Sequence, residues 1–328
     1  FTWYETLSRQ LLAVVKSISQ LVEYYSIDEM FFSVMQPSVA DARDLQTHVL
    51  ARLGVPVSVG IAPTKTLAKL ASDANKPYGY HVVGDENARL ALLQDMPVTE
   101  ITGVAHRSAA KLAGHGITTC DQFAKADRRL IRKLLTKRGE DLWWELNGDS
   151  VIPIAPKRPR HKFISRGGSL GRATADRDRL KAFVVRNIER LVEALNYYQL
   201  GCDQLTLDLS FKPSGSAAFR ESLMATAWQF DELSDAALHL LNRLWGGTRM
   251  VHYMHVIAGR LRDRRHSQQS LFAVSDKREE TIDRLKHRVN ESIGRFALRS
   301  GATLPLADVY GDPANAYDIC DIYGKSCF

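Results

Sequence analysis

Asp28 and Glu29 stand side by side between two short apolar runs, VEYYSI (22–27) and MFFSV (30–34). Adjacent carboxylates on a rigid strand connection can share a divalent cation, and hard oxygen donors suit Mg²⁺, which keeps several waters and bridges to substrate phosphates. The same pair also reads as an ordinary acidic turn. Lys76, in NKPYG (75–79), directly precedes the run GYHVV, and a lysine at such a helix end is ordinarily just solvated. Lys65 and Lys69 lie four apart on one predicted helix face, where surface charge is the simpler role. PTKTLAK (63–69) lacks the glycines of a P-loop, which argues against an ATPase. Cys120, Cys202, Cys320 and Cys327 form no C-x-x-C pair, so neither a zinc site nor a disulfide framework is expected.

Charge is the second chemical signal. The chain has 44 Lys and Arg against 37 Asp and Glu, a formal +7. Residues 1–150 carry 17 of each sign, so the whole excess falls in 151–328. KRPRHK (157–162), with Arg166 and Arg172 after it, and RLRDRR (260–265) are the densest clusters. Such stripes suit a polyanion, because phosphates release counterions to lysine and arginine. Lys162 and Arg166 are the candidates for backbone contact, and a solvated surface is the competing reading. No run of eighteen apolar residues is present, so no membrane span is expected.

The elements that must hold these groups follow from periodicity. Leu11, Leu12, Val15, Ile18 and Leu21 repeat at helical spacing over 7–21, and the two runs flanking Asp28 and Glu29 read as a hairpin. A helix is predicted over 41–53, a buried strand at PVSVGIA (56–62), a helix over 64–75 and a strand at GYHVV (79–83). Together they form one sheet backed by helices. Residues 97–150 become short helices broken by glycines, and the prolines of VIPIAPKRP (151–159) describe an extended linker. The order strand, helix (176–200), strand, strand, helix (231–245), strand then gives a βαββαβ domain. A last helix (277–298) and a polar, turn-rich end complete the chain.

YYSIDEMFFSV, GVPVSVGIAPTKTLAKLASDANKPYGYHVV, ITGVAHRSAAKLAGHGITTCDQF and SRGGSLG occur in the same order as the palm, thumb and little-finger motifs of Y-family DNA polymerases, which this chain resembles over residues 6–300. The likeness is greatest to the bacterial UmuC-like branch. It implies an α+β multidomain fold. A ferredoxin-like palm remnant spans 1–96, a small helix-hairpin-helix thumb 97–150 and a linker 151–161. A βαββαβ little finger spans 162–266 and a tail 267–328. By resemblance, Asp28 and Glu29 are catalytic metal ligands for Mg²⁺ and Lys76 touches the incoming triphosphate. Gly103 and Ala105 flank a hairpin that meets DNA, with Ala105 where the family carries glycine, an exchange that narrows the approach or shifts the backbone. Gln268, Leu271 and Phe272 resemble a peptide that binds the bacterial sliding clamp. The implied partners are primer-template DNA, deoxynucleoside triphosphates and that clamp, in the bacterial cytoplasm.

Family palms begin with a strand bearing the first metal-binding Asp, which this sequence lacks; together with the missing initiator Met, this makes the chain an expected fragment of a translesion DNA polymerase. The alternative is a non-catalytic relative that binds DNA and the clamp.

Overall fold

The computed structural model describes residues 2–157, 160–266, 277–294 and 296–311. The chain divides into two compact units, with the division between Arg158 and Pro159.

In the first unit, helix α1 (Thr2–Ile18) buries Leu12, Val14 and Val15 and ends before the hairpin β1 (Val22–Tyr24) and β2 (Met30–Phe32). The two strands are antiparallel, with Val22 opposite Phe32 and Tyr24 opposite Met30. They are shorter than the sequence suggests. Tyr25 to Ile27 belong to the turn, because the N–H groups of Tyr25 and Ser26 both donate to the Glu29 carbonyl (3.0 Å each) and Ser26 Oγ donates to Asp28 Oδ1. Serine and aspartate thereby supply a local alternative to ladder pairing.

Helix α2 (Val39–Leu53) starts at a Ser38–Asp41 capping box and stops at Gly54, whose left-handed φ of 70° favours glycine. Strands β3 (Val59–Ile61) and β4 (Tyr80–Val82) are parallel and joined through α3 (Lys65–Ala74), whose N-cap is Thr64. Gly60 is required by packing: a Cβ there would lie 2.0 Å from the Ala68 carbonyl oxygen of α3. The expected single sheet is instead two two-stranded sheets, and among the described residues no strand joins β2 to β3. β3 is half-buried rather than fully buried for the same reason.

Beyond α4 (Glu86–Leu93) come α5 (His106–Ala113), α6 (Cys120–Lys125) and α7 (Arg128–Leu146). α7 bends at Thr136, a β-branched residue at φ 67°. Leu67, Leu70 and Ala71 of α3 share one core with Ile101, Leu112, Phe123, Ile131 and Leu146, so the segments 1–96 and 97–150 are packed as one body.

The second unit is a four-stranded antiparallel sheet in the order β5-β8-β6-β7, made of β5 (Phe163–Thr174), β6 (Leu200–Lys212), β7 (Ser216–Ala227) and β8 (Met250–Asp263). Helices α8 (Arg177–Tyr198) and α9 (Phe230–Leu244) cover one face, which gives two split βαβ units. Alternation along β6 sets the faces: Leu205, Leu207, Leu209 and Phe211 are buried, while Gln204, Thr206, Asp208 and Ser210 are half-exposed. After α10 (Lys277–Ile293) the chain makes a 3₁₀ turn (Gly301–Leu306) and α11 (Ala307–Tyr310). This segment reads as a polar end in the sequence. It is in fact docked: Leu306 and Thr303 are fully buried, and Glu189 of α8 accepts from Lys286, Ser300 N–H and the Tyr310 hydroxyl. Among the described residues no helix is long and apolar enough to cross a membrane.

Candidate active site

The β1–β2 turn presents its two carboxylates differently. Asp28 is exposed at the tip, whereas Glu29 is half-buried and its Oε1 is ion-paired to Lys69 Nζ on α3. Lys69 also meets Asp73 Oδ2 at 3.0 Å, and Asp73 Oδ1 takes Lys76 Nζ at 2.6 Å. Four side chains thus form a row, Glu29–Lys69–Asp73–Lys76, and Asp28 stands beside it. The row borders a cleft of about 380 Å³ whose lining includes Asp28, Glu29, Lys69, Ser72 and Lys76.

The electrostatics follow from the pairing. Burial pulls the Lys69 ammonium toward neutrality, but hydrogen bonds and charge from Glu29 and Asp73 outweigh it, so its pKa is raised. Burial likewise raises Asp73, and its bonds to Lys76 and Lys69 more than reverse this, leaving the carboxyl below its ordinary value. Both groups stay charged across the neutral range.

The structure places Asp28, Glu29 and Lys76 along one cleft. It corrects the reading of Lys65 and Lys69 as plain surface charge. Their side chains are only 14% and 16% exposed, and Lys65 pairs with Glu23 Oε2 at 2.6 Å beneath the hairpin. Sequence reasoning missed Asp73, although its i,i+4 offset from Lys69 was a usable signal. As possible metal ligands, Asp28 and Glu29 are two hard oxygen donors on one turn; among the described residues no group of three or more His, Cys, Asp or Glu could hold a metal ion.

The other candidates lie elsewhere. Gly103 has φ 104°, and a Cβ there would crowd the Arg138 guanidinium at 3.0 Å. Ala105, at φ −86° and ψ 176°, precedes α5 in extended backbone that any residue adopts, so alanine there shifts no backbone angle. Around this turn, Ser108, Lys111 and Arg138 line a small hollow. α7 adds Arg128, Arg129, Arg132, Lys133 and Lys137. The balanced total over 1–150 concealed this: residues 97–150 hold nine basic against seven acidic residues.

In the second unit Lys162 is exposed, but Arg166 is 3% exposed and shares the inner face of β5 with Ile164, so it is not part of an open basic stripe. The physical reason is strand alternation, which puts Ile164 and Arg166, two residues apart in β5, on the same covered face. The cluster RLRDRR is partly neutralised, since Arg262 pairs with Asp203 and Arg265 with Asp263. Gln268, Leu271 and Phe272 lie outside the described residues. Cys120 and Cys202 are buried thiols pushed up to about 12 by burial, which leaves them chemically quiet.

Residues 1–73 match the impB/mucB/samB family and residues 161–271 the C-terminal domain of that family. Protein ImpB of Salmonella typhimurium is 34% identical over 263 residues, which are 75% of this chain and 62% of that protein. Protein MucB of Escherichia coli is 34% identical over 222 residues, 65% of this chain and 53% of its own length. The chain thus spans less than two thirds of either relative. DNA polymerase IV 1 of Bacillus subtilis (strain 168) is 26% identical over 313 residues, 93% of this chain and 75% of that protein. Among solved structures, a Y-family DNA polymerase chimera superposes with a TM-score of 0.65 at 21% identity, covering 79% of this chain and 76% of the chimera, a likeness of fold.

Proposed function

Because this chain belongs to the impB/mucB/samB family, within the UmuC/DinB superfamily of Y-family translesion DNA polymerases, we propose that it supplies most of a template-directed nucleotidyl transferase acting on damaged DNA. The observation that carries the reading is the cleft in which the Asp28–Glu29 turn faces Lys69 and Lys76 of the α3 region. Carboxylates on one wall and ammonium groups on the other suit a metal-complexed triphosphate.

Asp28 and Glu29 would hold Mg²⁺, which when bound neutralises phosphate charge and activates the attacking oxygen. The chain's own residues do the positioning. The hairpin fixes the turn, Lys69 holds Glu29 through an ion pair, and Lys76, 57% exposed and paired to Asp73 at the surface, can reach a triphosphate oxygen. Charge neutralisation and alignment are most of what phosphoryl-type transfer requires. Exposed Lys162, the Gly103–Ala105 turn and the basic face of α7 would track primer-template DNA, and Gln268, Leu271 and Phe272 would engage a sliding clamp in the bacterial cytoplasm.

The test is primer extension by the protein as the cell makes it. Asp28→Asn or Glu29→Gln should lower extension by about 10²–10³-fold or more while DNA affinity holds, because charge stabilisation rather than docking is lost. Undiminished extension by either variant overturns the assignment. A wild-type protein that binds DNA and the clamp but extends nothing supports the non-catalytic alternative.

A further inference from the structure

Glu145, at the end of α7, is fully buried, yet the chemistry above makes no use of it. Its Oε2 accepts the Thr66 N–H of α3 at 3.0 Å, and its Oε1 accepts the N–H groups of Val151 and Ile152 at 2.9 Å each. Its carbonyl accepts the Thr64 hydroxyl at 2.9 Å. The docking continues along the chain. Lys65 Nζ reaches the Pro153 carbonyl at 3.4 Å, and the Ala155 N–H donates to Glu23 Oε2 at 2.7 Å, the same oxygen that Lys65 holds.

Side chains agree with the hydrogen bonds. Ile152 and Ile154 turn inward and help line a second hollow, distinct from the Asp28–Lys76 cleft, that Lys65 also borders, while Val151, Pro153 and Ala155 face solvent. Ile152 packs on the core of the first unit. Residues 151–155 are therefore an extended strap fastened to α3 and β1. The proline-rich composition had suggested an open linker along this stretch.

We propose that Glu145 is a positioning residue that fastens this strap and thereby sets the reach of the chain between the two units. His161 already stacks on Tyr198 of the second unit, with ring centroids 4.5 Å apart. With the strap docked, residues 156–160 make the connection, and five residues span at most about 17 Å. With it released, residues 151–160 do so and the limit doubles to about 34 Å. A buried carboxylate serving three N–H donors is a strong anchor, because releasing it strands either the charge or the donors. Glu145→Gln keeps the shape and volume but removes the charge that all three N–H donors share and sets an amide NH₂ against at least one of them, so it should loosen the strap.

The experiment is hydrogen exchange and small-angle X-ray scattering on the whole chain. Residues 151, 152 and 155 should be protected in the wild type. E145Q should lose at least about tenfold of that protection at 151–155, leave 163–263 unchanged and increase the maximum dimension in solution. Glu23→Gln should loosen Ala155 while 151 and 152 stay protected, which tests the strap even where E145Q fails to fold. A wild type whose residues 151–155 exchange at the rate of an unstructured peptide overturns the proposal, as does an E145Q protein with a freed strap and no added reach. On the DNA-binding reading above, doubling the tether should also weaken primer-template affinity about threefold, since effective concentration falls as the −3/2 power of length. A wild type that binds no DNA defeats that reading alone, and exchange and scattering still judge the strap.

Discussion

Lys69 is the residue on which the cleft depends. It is the only side chain that touches both Glu29 and Asp73 among the ion pairs of the described residues, and its own charge is stabilised by both. Lys69→Met should free Glu29 to swing into solvent and cost about 1–2 kcal/mol in urea denaturation, because a partly buried carboxylate loses its donor. The pH dependence has a definite sign. Asp73 is held below its ordinary 3.8, so its contribution is present above that value and is lost as pH falls through the lower folded pKa. Lys69 is held above its ordinary 10.5, so its contribution is full below that value and is lost as pH rises through the higher folded pKa. The stability difference between wild type and variant should therefore be flat between about pH 5 and 9 and shrink below about pH 4. A difference that peaks near neutrality would contradict the network.

Among the elements, α3 does more than the sequence suggests. One face of it packs Leu67, Leu70 and Ala71 into a core shared with α5, α6 and α7, and another carries Lys65 and Lys69 to the hairpin. Its distance from β3 is set by Gly60, where any Cβ meets the Ala68 carbonyl oxygen and the Ser72 nitrogen at 2.0 and 2.5 Å. Both are backbone atoms and cannot rotate away. Gly60→Ala should force helix and strand apart at a cost of about 2–3 kcal/mol, at the upper end of the overpacking range. It should also move Lys69 off Glu29. The check is a fall in thermal stability together with faster exchange of the α3 amides; an unchanged melting temperature would show that the contact is slack. α7 is the other element whose role was hidden, since its basic residues were cancelled in the composition by acids of the preceding segment.

For the molecule as a whole, the two units divide the expected work of binding DNA differently from the charge count. The second unit keeps Lys162 at its surface but buries Arg166. Lys162→Ala should reduce the log–log salt slope of duplex binding by about 0.9 and weaken all sequences alike. Arg166→Ala should instead lower the stability of the second unit and leave the slope unchanged. A slope that falls equally for both variants would mean that Arg166 reaches the nucleic acid. Neutralising Arg129, Lys133 and Arg138 in the first unit should reduce the slope by more than Lys162→Ala does.

What the sequence determined by itself is local or periodic. The S-I-D-E turn between two apolar runs, the amphipathic helices, the βαββαβ order and the family likeness are each written in neighbouring residues or in repeats of two and 3.6. Tertiary structure decided what depends on residues far apart in the chain. Lys69 finds Glu29 across forty positions, Glu145 finds Thr66 across 79, and the segment after α10 finds α8. No spacing rule records such partners, because the fold brings them together through the packing of other elements. The burial of Arg166 was decided the same way, when β5 entered the sheet beside β8 in the register that turns its inner face toward α8.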